Sequence, residues 1–355
     1  MEIIVFLTAG SLLLIIVNSF TIKVVRDEPS EFAKSVSILV PMRNEETNVR
    51  GCIESLQNQE GLKNFEILIL DDNSTDNTLG EIRKFGNITI IEGKPIPPNW
   101  LGKLWACHQL SQQSTGEFLV FVDADVRLSK HAISAALNTM QGWSFISPYP
   151  KQLTSGLLQR LFQPLLQWSW LASVPLFWIY KFPNKKMAIA NGQFLIIERS
   201  AYEKSGGHEK IKSEVLDDLM LARNLIGCGF KGAVVEASQI AVCKMYNTSR
   251  ELIVGYQKSL YKAFGTLPGA VIALSLLVFT GIVPLIAVIN GSTLGLLAFV
   301  FIFVGRVITS LRTSSIPNTA ILHPLAIAAL IIIFLYSLYG RLTNTLTWRS
   351  RLING

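Results

Sequence analysis

FLVFVDADVRLSK, residues 118–130, sets five apolar residues ahead of two acids, Asp123 and Asp125, with only Ala124 between them. It reads as a buried strand that delivers two like charges to its C-terminal end, and such a pair needs a counter-charge. Two earlier apolar runs end the same way. Residues 36–40 lead into Pro41-Met42-Arg43-Asn44-Glu45-Glu46, and residues 65–70 into Asp71-Asp72-Asn73-Ser74-Thr75-Asp76; residues 88–91 give a further short strand. A helix is expected from near Thr47, with Val49, Ile53 and Leu56 on one face. Another should follow Asp76, with Ser74 or Thr75 as its cap. Strands alternating with helices build a parallel sheet, and ligands of such sheets bind at the C-terminal strand ends. Either acidic motif alone is usually a solvated turn or a helix cap. Gathered at one sheet edge, they repel unless a cation sits among them. Asp-x-Asp suits Mg2+ or Mn2+, with substrate phosphates filling the remaining positions.

Around this α/β core the composition shifts. Half of the 355 residues are apolar, 16 % are charged, and the mean hydropathy is +0.38. These values lie between a soluble enzyme and a full membrane protein. The net charge of +7 contains no basic run. It fits a membrane surface and an anionic substrate, and argues against nucleic acid as a partner. Cys52, Cys107, Cys228 and Cys243 have no paired spacing, so neither a zinc ribbon nor a disulfide scaffold is expected.

Residues 3–20 form an apolar run followed by Lys23 and Arg26, the pattern of an uncleaved anchor whose C-terminal side is cytosolic. Apolar runs return at 271–289, 294–304 and 321–339. The expected organisation is an anchor at 1–22, a catalytic domain at 35–265, a membrane region at 268–340 and a basic tail at 341–355. The whole is a multi-pass cell-membrane protein with its catalytic domain in the cytosol. Arg306 and Arg312 fit a cytosolic loop, yet Arg341, Arg349 and Arg351 also favour the cytosol. One apolar segment would then be interfacial or re-entrant. Residues 157–180, interrupted by Pro164 and Pro175, read either as a buried core helix or as interfacial helices facing a lipid substrate.

The ordered series VPMRNEE, LDDNSTDNT, WLGKLWACH, FVDADV, ANGQFLIIERSAYEKSGGH and VLDDLMLARNLIGCGFK resembles family 2 glycosyltransferases of the inverting GT-A type, from about residue 36 to 250. The membrane-anchored layout is similar to the carotenoid and hopanoid-associated branch, which includes diaponeurosporenoate-type glycosyltransferases. The resemblance implies a nucleotide-sugar donor, a UDP-sugar, and a lipid-like acceptor. It assigns Pro41, Arg43 and Glu45 to the first nucleotide-contacting loop and Asp72 to the uracil ring nitrogen. Asp123 and Asp125 become the ribose-diphosphate and metal pair, with Asp125 the direct ligand. Lys103 matches a donor-side lysine, against the competing reading of a surface lysine at a turn. Gly207 and His208 fall on the acceptor side.

For the catalytic base the family usually carries Glu-Asp, where this chain has Asp217-Asp218; the departure touches the first position and leaves Asp218 as base. Glu214 to Leu219 should open a helix that continues through Leu221, Ala222 and Leu225, and acids in a first helical turn are also favoured by the helix dipole alone. An inverting transfer needs one carboxylate to take the acceptor proton and no covalent nucleophile. The Gln-x-x-Arg-Trp motif of processive members is missing near Arg250, which points to transfer of one or a few sugars. Two other readings compete. A nucleotidyltransferase would place glycines after the first strand, where Pro41-Met42-Arg43-Asn44-Glu45 has none. A non-catalytic membrane scaffold would have lost Asp125 or Asp218.

Overall fold

A computed structural model describes residues 1–343, 345, 347–348 and 351–352, and the chain divides into two compact units. One comprises Lys23–Lys151 and Trp178–Met245; the other comprises Met1–Ile22, Gln152–Phe177 and the chain from Tyr246 onward.

The first unit is built on strands β1 (Phe32–Met42), β2 (Leu62–Asp71), β3 (Thr89–Glu92), β4 (Phe118–Val122), β5 (Val126–Leu128), β6 (Phe145–Tyr149), β7 (Lys151–Gln152), β8 (Phe194–Glu198), β9 (Gly232–Glu236) and β10 (Ala241–Cys243). Seven of them form one sheet in the order β3-β2-β1-β4-β8-β6-β9. The β1–β2, β1–β4, β2–β3 and β6–β9 pairs are parallel, and β8 runs antiparallel to both β4 and β6. This is the mostly parallel α/β sheet expected.

Alternation along the strands explains the layering. Ile38 and Val40 of β1 and Val120 and Val122 of β4 join a core cluster with the helices Glu46–Gln57 and Ala132–Thr139. The intervening Leu39, Leu119 and Phe121 join a second cluster, with the helices Gly102–Gln113 and Asp217–Gly227. Both sheet faces are therefore covered, which is why these strands read as unbroken apolar runs. Each fully buried Val, Ile or Leu contributes about 1.5–3 kcal/mol.

Two local expectations differ from what forms. The helix after Asp76 begins at Thr78 with Asn77 at its N-cap, not at Ser74 or Thr75. Those residues are held by the preceding loop instead. Asn44 donates its backbone N–H to Ser74 Oγ at 3.0 Å and accepts the Thr75 N–H on Oδ1 at 2.8 Å. The helix expected to open at Glu214 opens at Asp217.

The second unit carries the long apolar helices. Among the described residues four are long and apolar enough to cross a membrane: Glu2–Thr21, Leu267–Ile289, Thr293–Arg312 and Pro317–Leu342. The second is interrupted at Ile282, just before Pro284. Leu157–Ser173 is a single helix that runs through Pro164 and ends before Pro175. Its Trp168 and Trp170 are buried. Asn18 ties the first helix to its end. The Asn18 amide donates to Leu171 O and Val174 O, both at 2.8 Å, and its Oδ1 accepts the Leu176 N–H at 3.0 Å.

Arg306 corrects an expectation: it lies within the helix Thr293–Arg312, 2 % exposed, not in a loop. The apolar run continues on both sides of it, so a single charge does not end the helix. Part of the basic tail expected at 341–355, including Arg349, lies outside the described residues.

Candidate active site

The C-terminal ends of β1, β2 and β4 bring the acidic loops to one edge of the sheet. Loops one and two are laced together. Arg43 Nη1 donates to the backbone carbonyls of Asp72 and Asn73, Asp72 donates its N–H to Met42 O at 2.7 Å, and Thr78 Oγ1 accepts the Glu45 N–H at 2.8 Å. Asn44 takes a positive φ of 53° to make this turn, a conformation asparagine tolerates better than most residues. Arg127, which sequence reasoning passed over, fixes the third loop. Its guanidinium donates to Ala124 O at 2.7 Å, to Val126 O at 2.8 Å, and to Asn48 at the head of the Glu46–Gln57 helix at 3.1 Å.

A pocket in this unit gathers Pro41, Lys103, Asp123, His208, Asp217 and Asp218. Lys103 is the counter-charge that the chain itself supplies. Its Nζ lies 2.7 Å from Asp123 Oδ1 and 2.9 Å from Oδ2, and 3.7 Å from Asp217 Oδ2. Burial lowers an ammonium, but Asp123 and Asp217 outweigh it and hold Lys103 well above its usual range. Burial raises Asp123 to about 6, against the pull of Lys103.

Asp218 is held by two backbone donors: Gly192 N–H reaches Oδ2 at 2.8 Å and Leu219 N–H reaches Oδ1 at 2.7 Å. Burial, then the neighbouring Asp217, raise its pKa to about 6. The Gly192 contact comes from the strap Asn191-Gly192-Gln193, which opens the motif ANGQFLIIERSAYEKSGGH. In that strap Asn191 donates its N–H to Ser147 Oγ at 2.7 Å, and the Gln193 carbonyl accepts the Asp123 N–H at 3.0 Å. Three consecutive residues thus hold the Asp218 and Asp123 segments in one frame.

Gly207 and His208 have a packing role visible in the geometry. Gly206 and Gly207 take φ of 80° and 49°, and a Cβ on Gly207 would lie 2.4 Å from Tyr202 Cζ. That leaves room for His208 Nδ1 at 2.9 Å from the Tyr202 hydroxyl. Burial pushes the His208 ring down to about 3, so it is neutral at physiological pH.

Asp125 stands slightly apart from this pocket. Burial, then the Glu45 carboxylate, raise it, while the Cys243 thiol hydrogen-bonds to it. Its Oδ1 is buried with no hydrogen-bond partner. A buried acceptor without a donor, beside other carboxylates, is where a hard cation fits. Among the described residues no cluster of three or more His, Cys, Asp or Glu side chains is placed to hold a metal ion. The site thus fits an ion held by one or two carboxylates and a substrate diphosphate, not a cage made by protein alone.

Comparison with known proteins agrees with this architecture. Residues 37–206 match the family model described as glycosyl transferase family 2. A 4,4'-diaponeurosporenoate glycosyltransferase of Staphylococcus haemolyticus is 25 % identical over 247 residues, 65 % of this chain and 62 % of the relative, so the match leaves over a third of that relative uncovered. The protein of the same name from Staphylococcus aureus strain MRSA252 is 24 % identical over 71 % of this chain and 68 % of its own length. Among solved structures, a mannosyltransferase from Pyrobaculum calidifontis, in complex with GDP-Man and Mn2+, shares the fold with a TM-score of 0.56 at 16 % identity, covering 96 % of this chain and 99 % of its own. Residues 37–206 thus carry a glycosyl transferase family 2 domain, and the chain is similar in sequence to the named diaponeurosporenoate glycosyltransferases and in fold to the mannosyltransferase.

Proposed function

We propose that the protein transfers one sugar, with inversion, from a UDP-sugar to the hydroxyl or carboxyl group of a lipid-like acceptor at the cytosolic face of the cell membrane. The observation that carries this reading is the pocket joining Asp218, Asp217, Lys103 and Asp123. Asp218 takes the acceptor proton; its two backbone donors fix the carboxylate in place, and at about 6 its pKa leaves it about nine-tenths ionised at pH 7. Pro41, Arg43, Glu45 and Asp72 hold the nucleotide, and Lys103 and Asp123 face the diphosphate. Asp125, with Asp123, would hold Mg2+ or Mn2+, which supplies Lewis-acid stabilisation of the departing diphosphate when bound. Asp217, Gly207 and His208 lie on the acceptor side.

The four long apolar helices support a membrane-embedded protein, and the named relatives support an apolar acceptor ending in a carboxylate. A donor screen tests the reading. Purified protein in detergent is offered UDP- and GDP-sugars with Mn2+, and nucleoside diphosphate release is followed with and without lipid extract. No release with any donor, with or without acceptor, refutes it.

A further inference from the structure

One seam inside the apolar unit is polar. The helix Leu157–Ser173 carries Gln159, Gln163 and Gln167 at four-residue spacing, each at most 2 % exposed, and each leaves its Oε1 buried without a partner. The inner face of Thr293–Arg312 begins with Gly295, Ala298, Ile302 and Gly305, then turns polar at Arg306. Arg306 Nε and Nη1 are buried without hydrogen-bond partners. At the start of the last long helix, within electrostatic reach of Arg306, both ring nitrogens of His323 are also unpartnered. Trp168 meets His323 edge-on, with ring centroids 4.7 Å apart, and its buried indole Nε1 likewise has no acceptor.

A guanidinium keeps its charge in a protein, and a buried charge without a partner weighs heavily against the fold. Inside a membrane the usual partner is a carboxylate on a neighbouring helix. This unit has none to give. Its sequence contains two acids, Glu2 and Glu251, and both are exposed. Glutamine carbonyls supply dipoles but no negative charge. The counter-ion of Arg306 must come from outside the unit.

We propose that Arg306, with Trp168 and His323, binds the oxyanion headgroup of a lipid, a phosphate or carboxylate borne on an apolar chain. An open hollow lined by Phe303, Val307, Pro317, Asn318 and Ile321, apolar but for Asn318, lies along the same stretch of helix and offers the chain a surface. The site rests on the reading of the apolar unit as membrane-embedded and not on the transfer chemistry, so binding and turnover are measured separately.

Full-length protein in a neutral detergent is titrated with phosphatidylglycerol, oleate or phosphatidylcholine, and bound lipid is counted by native mass spectrometry. The anionic lipids are expected to be retained about tenfold more tightly than phosphatidylcholine. Arg306→Met abolishes that preference, and Trp168→Phe, which keeps the ring but loses the donor, weakens it severalfold. Inorganic phosphate leaves the lipid bound. Equal retention of anionic and zwitterionic lipid, or an unchanged preference in Arg306→Met, overturns the site. Displacement by inorganic phosphate overturns the lipid assignment in favour of a free anion. If Arg306→Met fails to fold, the preference of the unmodified protein and its weakening in Trp168→Phe decide the matter. Donor turnover on the same samples reports on Asp218 independently.

Discussion

Replacing Asp218 by Asn keeps the side chain's size and one oxygen able to accept the Gly192 N–H, which donates at 2.8 Å. It removes the charge proposed to take the acceptor proton. A positioned base contributes about 10²–10⁴ in rate, or roughly 3–5 kcal/mol of barrier. Nucleoside diphosphate release coupled to transfer should therefore fall about a hundredfold or more. Donor affinity, measured by calorimetry, should stay within about twofold, because base catalysis acts on the transition state. A pH profile supplies the second arm. Burial and Asp217 hold Asp218 near 6, and only the ionised carboxylate accepts a proton. The rate is therefore full above that value and lost as pH falls through it, by about tenfold at pH 5. The Asn variant's residual rate should be flat over the same range. If the variant keeps more than about a tenth of turnover, or retains the acid limb of the profile, Asp218 is not the base.

Asp125→Ala should remove the Mn2+-dependence of donor binding, lowering affinity about tenfold or more in the presence of the ion, since even outer-shell losses have effects of that size. Equal affinity of the two proteins with and without Mn2+ would take Asp125 out of the metal site. Lys103→Met leaves Asp123 without the ammonium at 2.7 Å. Both side chains are partly exposed, so the loss should be about 1–3 kcal/mol, seen as a melting point lower by several degrees and recovered by Mn2+ with donor. An unchanged melting point would return Lys103 to an ordinary surface role. Gly207→Ala forces a Cβ to 2.4 Å from Tyr202 Cζ at a positive φ, and should destabilise the protein by about 1–3 kcal/mol in thermal unfolding. A variant that melts with the parent would show that the Tyr202–His208 packing yields freely.

Much of the parallel sheet was legible because its signal is local. Residues 36–40, 65–70 and 118–122 lie inside strands β1, β2 and β4, and the acids that follow sit at their C-terminal ends by topology alone. The antiparallel β8 was not anticipated. Phe194–Glu198 was quoted as part of a motif, yet nothing in its pattern says that it runs between β4 and β6 in the opposite sense, a matter of long-range pairing. The Ser74 and Thr75 caps failed for a related reason. Both residues have the right chemistry, but Asn44, thirty positions earlier, occupies them first.

The same limit explains why the charges of the two units read so differently. The Asp123 carboxylate is answered by Lys103 because Leu101, just before the Gly102–Gln113 helix, is anchored by its N–H to Lys212 O at 2.8 Å. That contact joins residues over a hundred positions apart, so the local motif revealed the paired acids but not their partner. In the apolar unit the sequence carried the complementary fact in plain view: basic residues, two exposed acids, and glutamines spaced four apart in a stretch otherwise read as apolar. Arg306 was read as a loop residue because a lone arginine between apolar runs looks like a loop. Once the helix is seen to continue through it, the deficit cannot be met by any side chain of that unit. A charge that no local carboxylate can balance is then evidence about a ligand, just as the bare Asp125 Oδ1 is evidence about a cation.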